Sequence, residues 1–151
     1  MSCFSLKNVS KLFNIHSASF PVVYLFKLCT VGETREQSMT VFRVSSCVSS
    51  DALVCKYGYT GDFRRRMEEH ERDYGRIPGV NTEMMMYSYV DPTLVSSAEK
   101  DIRNFFKSMG MCLPVDKRRE IVVIEKGDVK VVENKFKSVH LLYSGRGGRT
   151  S

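Results

Sequence analysis

The sequence has no Cys-x-x-Cys pair, no His at zinc-ligand spacing, no apolar run of membrane length and no internal repeat. Each absence removes a class. The five cysteines Cys3, Cys29, Cys47, Cys55 and Cys112 are scattered singly, which argues against a zinc module. Their odd number, with no apolar leader or small-residue cleavage site over Met1–Phe20, points to a reducing, intracellular compartment and no disulfides. No window approaches the ~20 apolar residues of a membrane helix. Acidic charge is the minority sign. Against 17 Asp and Glu stand 23 Lys and Arg, a net charge of +6, so the surface is expected to attract polyanions in a salt-dependent way. Nucleic acid is therefore the partner to test first.

At 151 residues with 42% hydrophobic side chains, the chain can bury one core and has little room for a second. Residues 1–20 read as an N-terminal arm or helix, 21–143 as the domain and 144–151 as a disordered basic tail. Val22–Leu28 is a run of strand formers with the character of a strand buried on both faces. The pattern then lapses over Thr30–Asp51, a long polar connection with a short edge strand expected at Thr40–Val44. A second strand covers Ala52–Tyr59, and the glycines of Gly58-Tyr59-Thr60-Gly61 allow a tight exit.

Phe63, Met67, His70 and Tyr74 then form one helical stripe, with Gly75 expected to end the helix in a left-handed conformation. The first turn carries Arg64, Arg65 and Arg66, which is the sign the helix dipole disfavours and a hint that this end faces phosphate. Pro78-Gly79 marks a turn, Glu83–Val90 a third strand, and Asp91-Pro92-Thr93 the start of a second helix. Leu94, Ala98, Ile102, Phe105, Phe106 and Met109 fit that helix, with Gly110 as its stop. Two strands, Glu120–Glu125 and Asp128–Glu133, are expected as a hairpin around Lys126-Gly127, followed by a helix over Asn134–Tyr143. The sum is an α/β fold, a small central sheet flanked by helices in a single domain.

Chemistry concentrates in one stretch. Cys55-Lys56-Tyr57-Gly58-Tyr59-Thr60-Gly61-Asp62-Phe63-Arg64-Arg65-Arg66-Met67-Glu68-Glu69-His70 resembles the second half of the GIY-YIG nuclease motif, with Gly58, Thr60, Arg66 and His70 on its marked places. Val22-Val23-Tyr24 matches the G-I-Y strand, and Glu99 within Ser97–Ile102 matches the family's helix-borne Glu. The resemblance spans Pro21 to Met109 and is nearest to the variant found in proteins of large DNA viruses. Three places depart from the pattern: Val22 replaces Gly, Lys56 replaces Tyr, and the connection from Tyr24 to Lys56 is long.

The resemblance implies a metal-dependent endonuclease or related phosphodiesterase acting on nucleic acid, DNA first, in the host cytoplasm or nucleus if viral. In that reading Glu99 holds Mg²⁺ or Mn²⁺, Arg66 clamps the scissile phosphate, and Tyr24 takes the proton of the attacking water. Lys56 favours the Tyr24 phenolate by direct charge interaction, while Arg64, Arg65, His70 and Tyr59 contact the nucleic acid. Each residue also has a plainer assignment. Glu99 alone is a solvated helix acid, the arginines can pair with Glu68 and Glu69, Tyr24 can be core, and His70 can be packing. Met84-Met85-Met86 belongs to the core, and Glu120 reads first as an ordinary strand-edge charge, with a place near the site as the secondary assignment. Two other functions remain open: a non-catalytic nucleic-acid-binding module on the same fold, and a viral structural or partner-binding protein. Composition and spacing leave the oligomeric state undetermined.

Overall fold

A computed structural model of the protein describes residues 4–5, 21–36, 44–75, 77, 80, 82–113 and 120–145. Five strands form one sheet in the order β1-β4-β2-β3-β5, and every pairing in it is antiparallel. They are β1 (Phe4–Ser5), β2 (Val22–Thr30), β3 (Leu53–Thr60), β4 (Glu83–Tyr89) and β5 (Ile121–Ile124). The helices are α1 (Val31–Glu36), α2 (Phe63–Tyr74), α3 (Val95–Ser108) and α4 (Val129–Tyr143).

Strand alternation sorts the core into two layers. Val22, Tyr24, Phe26 and Leu28 of β2 share one face of the sheet with Phe63 and Met67 of α2. Val23 and Leu25, with Cys55 and Tyr57 of β3, face Ala98, Ile102 and Phe106 of α3 and Val132, Phe136 and Val139 of α4. Because β2 is central and covered on both faces, it reads in sequence as an unbroken apolar run. Met84, Met85 and Met86 are all buried, as expected of core methionines.

Three elements differ from the sequence-based expectation. The segment read as a second hairpin strand, Asp128–Glu133, is instead a short 3-10 turn (Lys126–Asp128) running into α4. Its β-branched valines favour a strand locally. Val132, Phe136 and Val139 fall at i, i+4 and i+7, however, and burying that helical stripe against the sheet outweighs local propensity. In the long connection, α1 follows β2 directly, closed at its start by reciprocal bonds between Thr30 and Glu33. Gly75 is helical (φ −64°), not left-handed, whereas Gly110 after α3 does take the left-handed conformation (φ 68°).

Arg35, on the long connection, donates to the Ser45 and Val48 carbonyls and the Ser50 hydroxyl, tying the loop down. The expected edge strand falls outside the described residues except for Val44, which is not in a strand. The remainder of the N-terminal arm, Arg43, the Pro78-Gly79 turn, Lys117-Arg118-Arg119 and residues 146–151 also lie outside them. Of the arm, Phe4–Ser5 pairs with Met84 and Glu83 as the edge strand β1. Among the described residues, Cys29, Cys47, Cys55 and Cys112 are free thiols, and no helix is long and apolar enough to cross a membrane.

Candidate active site

The strand-to-helix turn after β3 sets the site. Thr60 Oγ1 accepts the Asp62 N–H at 3.0 Å, and the Asp62 side chain accepts the Arg65 N–H at 3.1 Å as the helix cap. No acid occupies the first turn of α2. That turn carries three arginines, and geometry separates them. Arg64 and Arg65 lie on the exposed side of the helix, 3.4 Å and 3.2 Å from Glu68 and Glu69. Arg66 alone of the three lines a polar cleft of about 250 Å³ with Tyr24, Tyr59, Thr60, Gly61, Glu99 and Glu120.

Three of the four proposed catalytic residues therefore meet in one cavity, from three elements: Tyr24 on β2, Arg66 on α2 and Glu99 on α3. Tyr59, at 41% exposure, stands at its rim. Tyr24 is 1% exposed and forms the floor. Its hydroxyl lies 2.8 Å from Nε2 of His70, and its ring lies edge-on to Phe63.

Gly58 is what makes room for that hydroxyl. It sits opposite Tyr24 in the β2–β3 register, and a Cβ there would come within 2.8 Å of the phenolic oxygen. At Gly61 a Cβ would meet nothing within 4 Å, so the turn itself does not demand glycine.

Two expected roles change. His70 is 6% exposed and lies beneath Tyr24, packed 4.7 Å from the Phe26 ring, so it supports the tyrosine and offers no surface to nucleic acid. Burial, reinforced by the positive charges of Lys56 and Arg66, pushes its imidazole down to about 3, and it is neutral at physiological pH. Lys56 does not lower the phenol of Tyr24. Burial raises that phenol well above its ordinary value, against the pull of Arg66 beside it. The Lys56 ammonium, nearly buried, is engaged at 2.5 Å by Glu120 Oε2.

Glu120, read first from the sequence as an ordinary strand-edge charge, lines the cleft. It lies just before β5, and its backbone carbonyl accepts the Tyr57 N–H, which brings a fifth strand's edge against the site. Only the pairing of β3 with β5 places it there. Asn134 is exposed on α4 and does not line the cleft.

The buried neutral imidazole has a measurable consequence. The unfolded state binds the His70 proton near pH 6.5, whereas the folded state resists it down to about 3. Stability is therefore expected to be complete above pH 7 and to fall as pH drops from 6.5 toward 3, as the unfolded chain gains the proton first. Urea unfolding at intervals between pH 4 and 8 measures this. His70→Gln should flatten the profile in that window, and a profile unchanged by the substitution would show that His70 is not its source.

Chemically, the cleft offers a planar guanidinium for an anion, two carboxylates of which Glu120 is paired with Lys56, and a hydroxyl hydrogen-bonded to an imidazole. No group of three or more metal-ligating side chains occurs among the described residues. Carboxylates without His or Cys in a polar cleft suit Mg²⁺ or Mn²⁺, which retain several waters and share phosphate oxygens, and do not suit zinc.

No protein-family model matches the chain, and no solved structure matches it. Three uncharacterized proteins of Acanthamoeba polyphaga mimivirus do. Two are 30% identical over 137 and 139 residues, each match taking in 91% of this chain. The third is 27% identical over 107 residues, 71% of the chain. In these alignments the chain spans 27%, 29% and 18% of the relatives' own lengths, so it is similar to one portion of larger viral proteins.

Proposed function

We propose that this domain is a metal-dependent phosphodiesterase of the GIY-YIG nuclease kind, acting on nucleic acid and on DNA in the first instance. One observation carries the reading: Tyr24, Arg66 and Glu99, distant in sequence, line a single polar cleft. The similarity to mimivirus proteins and the free thiols support an intracellular viral setting.

In this reading the Arg66 guanidinium binds two oxygens of the scissile phosphate in its fork and orients the phosphorus toward the floor of the cleft. The Tyr24 hydroxyl holds the attacking water. Because burial disfavours both phenolate and imidazolium, the Tyr24–His70 pair rests neutral. The Tyr24 oxygen accepts a hydrogen bond from the attacking water while its own proton stays directed at Nε2 of His70, so the pair orients the water toward the phosphorus. Glu99 is the ligand for Mg²⁺ or Mn²⁺, which when bound supplies charge compensation to the phosphoryl oxygens and to the departing oxygen. Tyr59 stacks on a neighbouring base, and Arg64 and Arg65 track the backbone beyond the cleft.

Purified protein incubated with duplex, branched and single-stranded DNA, with and without Mg²⁺ or Mn²⁺, tests the reading. Cleavage is expected with the cation and not with EDTA, and Glu99→Ala is expected to abolish it. Cation-independent cleavage, or cleavage undiminished by that substitution, would remove Glu99 from the mechanism. Salt-sensitive binding without any product would identify the second reading, a nucleic-acid-binding module on the same fold. That alternative is favoured by the internal neutralisation of Lys56 by Glu120.

A further inference from the structure

Three cations at or beside the cleft are each met by an acid of the same chain. Arg66 Nε lies 3.3 Å from Glu69, Lys56 Nζ 2.5 Å from Glu120, and Arg103 Nη2 2.6 Å from Glu99. For a site meant to take an anion this is a self-neutralised arrangement, since a guanidinium already facing a carboxylate attracts a phosphate much less than an unpaired one.

The three pairs differ in one respect. Glu69 does not line the cleft, and Glu120 answers a lysine that is nearly buried. Only Glu99 both lines the cleft as its candidate cation ligand and neutralises an arginine that is half exposed. Arg103 follows Glu99 by one turn on α3, so the two side chains share a face. The Arg103 guanidinium also lies by Tyr57, toward whose phenol oxygen it donates; Tyr57 is 2% exposed and packed 4.8 Å from the Phe106 ring. Arg103 thus has a second partner besides Glu99.

We propose that Glu99 and Arg103 form a latch opened by a divalent cation: once Glu99 turns its carboxylate to the cation, Arg103 becomes a second guanidinium for the substrate phosphate. This rests on reading the cleft as a phosphodiester site. It adds that cation and nucleic acid bind cooperatively, each raising the affinity for the other by the same factor. It also assigns to Arg103, which no motif marks, a substrate-binding role that exists only in the cation-loaded state.

Binding without turnover tests it directly. A fluorescein-labelled duplex is titrated with protein and followed by anisotropy, in EDTA and in Ca²⁺ at matched ionic strength. Ca²⁺ is expected to tighten wild-type binding at least about fivefold. Arg103→Gln should remove most of that gain. Glu99→Gln should bind in EDTA as tightly as wild type does in Ca²⁺, with no further response to the ion. The double variant Glu99→Gln/Arg103→Gln should fall back to wild-type affinity in EDTA or below it. If the Glu99→Gln gain persists in the double variant, loss of a repelling carboxylate explains it and the latch is wrong. Arg103→Gln keeping the full Ca²⁺ response would overturn it equally. Absence of duplex binding by wild type under every condition sinks the phosphodiester reading itself, which separates the two failures.

Discussion

Arg66→Ala is expected to lower phosphodiester cleavage by about 10²–10³-fold, the effect of removing one preorganised donor from a developing oxyanion. The melting temperature should move by less than about 2 °C, because substitutions at exposed positions rarely change stability by more than about 0.5 kcal/mol. Both halves follow from where the residue sits. Its side chain is 42% exposed and its ion pair is a surface contact with Glu69 one turn on, so the fold loses little. The cleft loses its only guanidinium among the lining residues.

Arg66→Lys should not rescue the rate, since one ammonium cannot span two phosphate oxygens as a planar fork does. Arg64→Ala and Arg65→Ala offer the contrast. They should weaken binding and reduce its salt dependence by about one counterion each, leaving single-turnover rates at saturating protein near wild type. Single-turnover cleavage together with thermal melting measures all four variants. An Arg66→Ala rate within threefold of wild type would remove the phosphate clamp from the mechanism.

The register that singles out Arg66 was legible in the sequence because it is local. Phe63, Met67 and His70 must face the sheet, and that fixes which of the neighbouring arginines turns toward β2. The same holds for α3, where Ala98, Ile102 and Phe106 face the core and thereby set the side on which Glu99 stands. What escaped the sequence depends on strand partners. Glu120 reaches the cleft only because β5 pairs with β3, a contact that no short window encodes. Lys56 looked like a tuning charge for Tyr24 because a linear motif shows which residues are present and not which are already paired; Glu120 answers it. Val129–Glu133 misled for the opposite reason. Its local preference is for a strand, and only the longer stripe through Phe136 and Val139 reveals the helix.

Gly58→Ala is expected to be strongly damaging although it adds a single methyl group. The added carbon would stand 2.8 Å from the Tyr24 oxygen and 3.1 Å from its Cζ, both well inside van der Waals contact. Neither side can yield easily: Gly58 is paired with Tyr24 across the β2–β3 ladder, and Tyr24 is packed against Phe63 while its hydroxyl is bonded to His70. Overpacking of this kind costs about 1–3 kcal/mol, and here it would also move the hydroxyl proposed to hold the water. The test is a double-variant cycle. Tyr24→Phe removes the nearer of the two contacts, so stability lost in Gly58→Ala should be partly regained in Gly58→Ala/Tyr24→Phe, a coupling measurable by urea unfolding. Cleavage should not return, because the phenol is gone. Additive destabilisation in the double variant would mean that glycine serves the strand at this position and not the tyrosine, and the close approach on which the cleft floor is built would have no energetic weight.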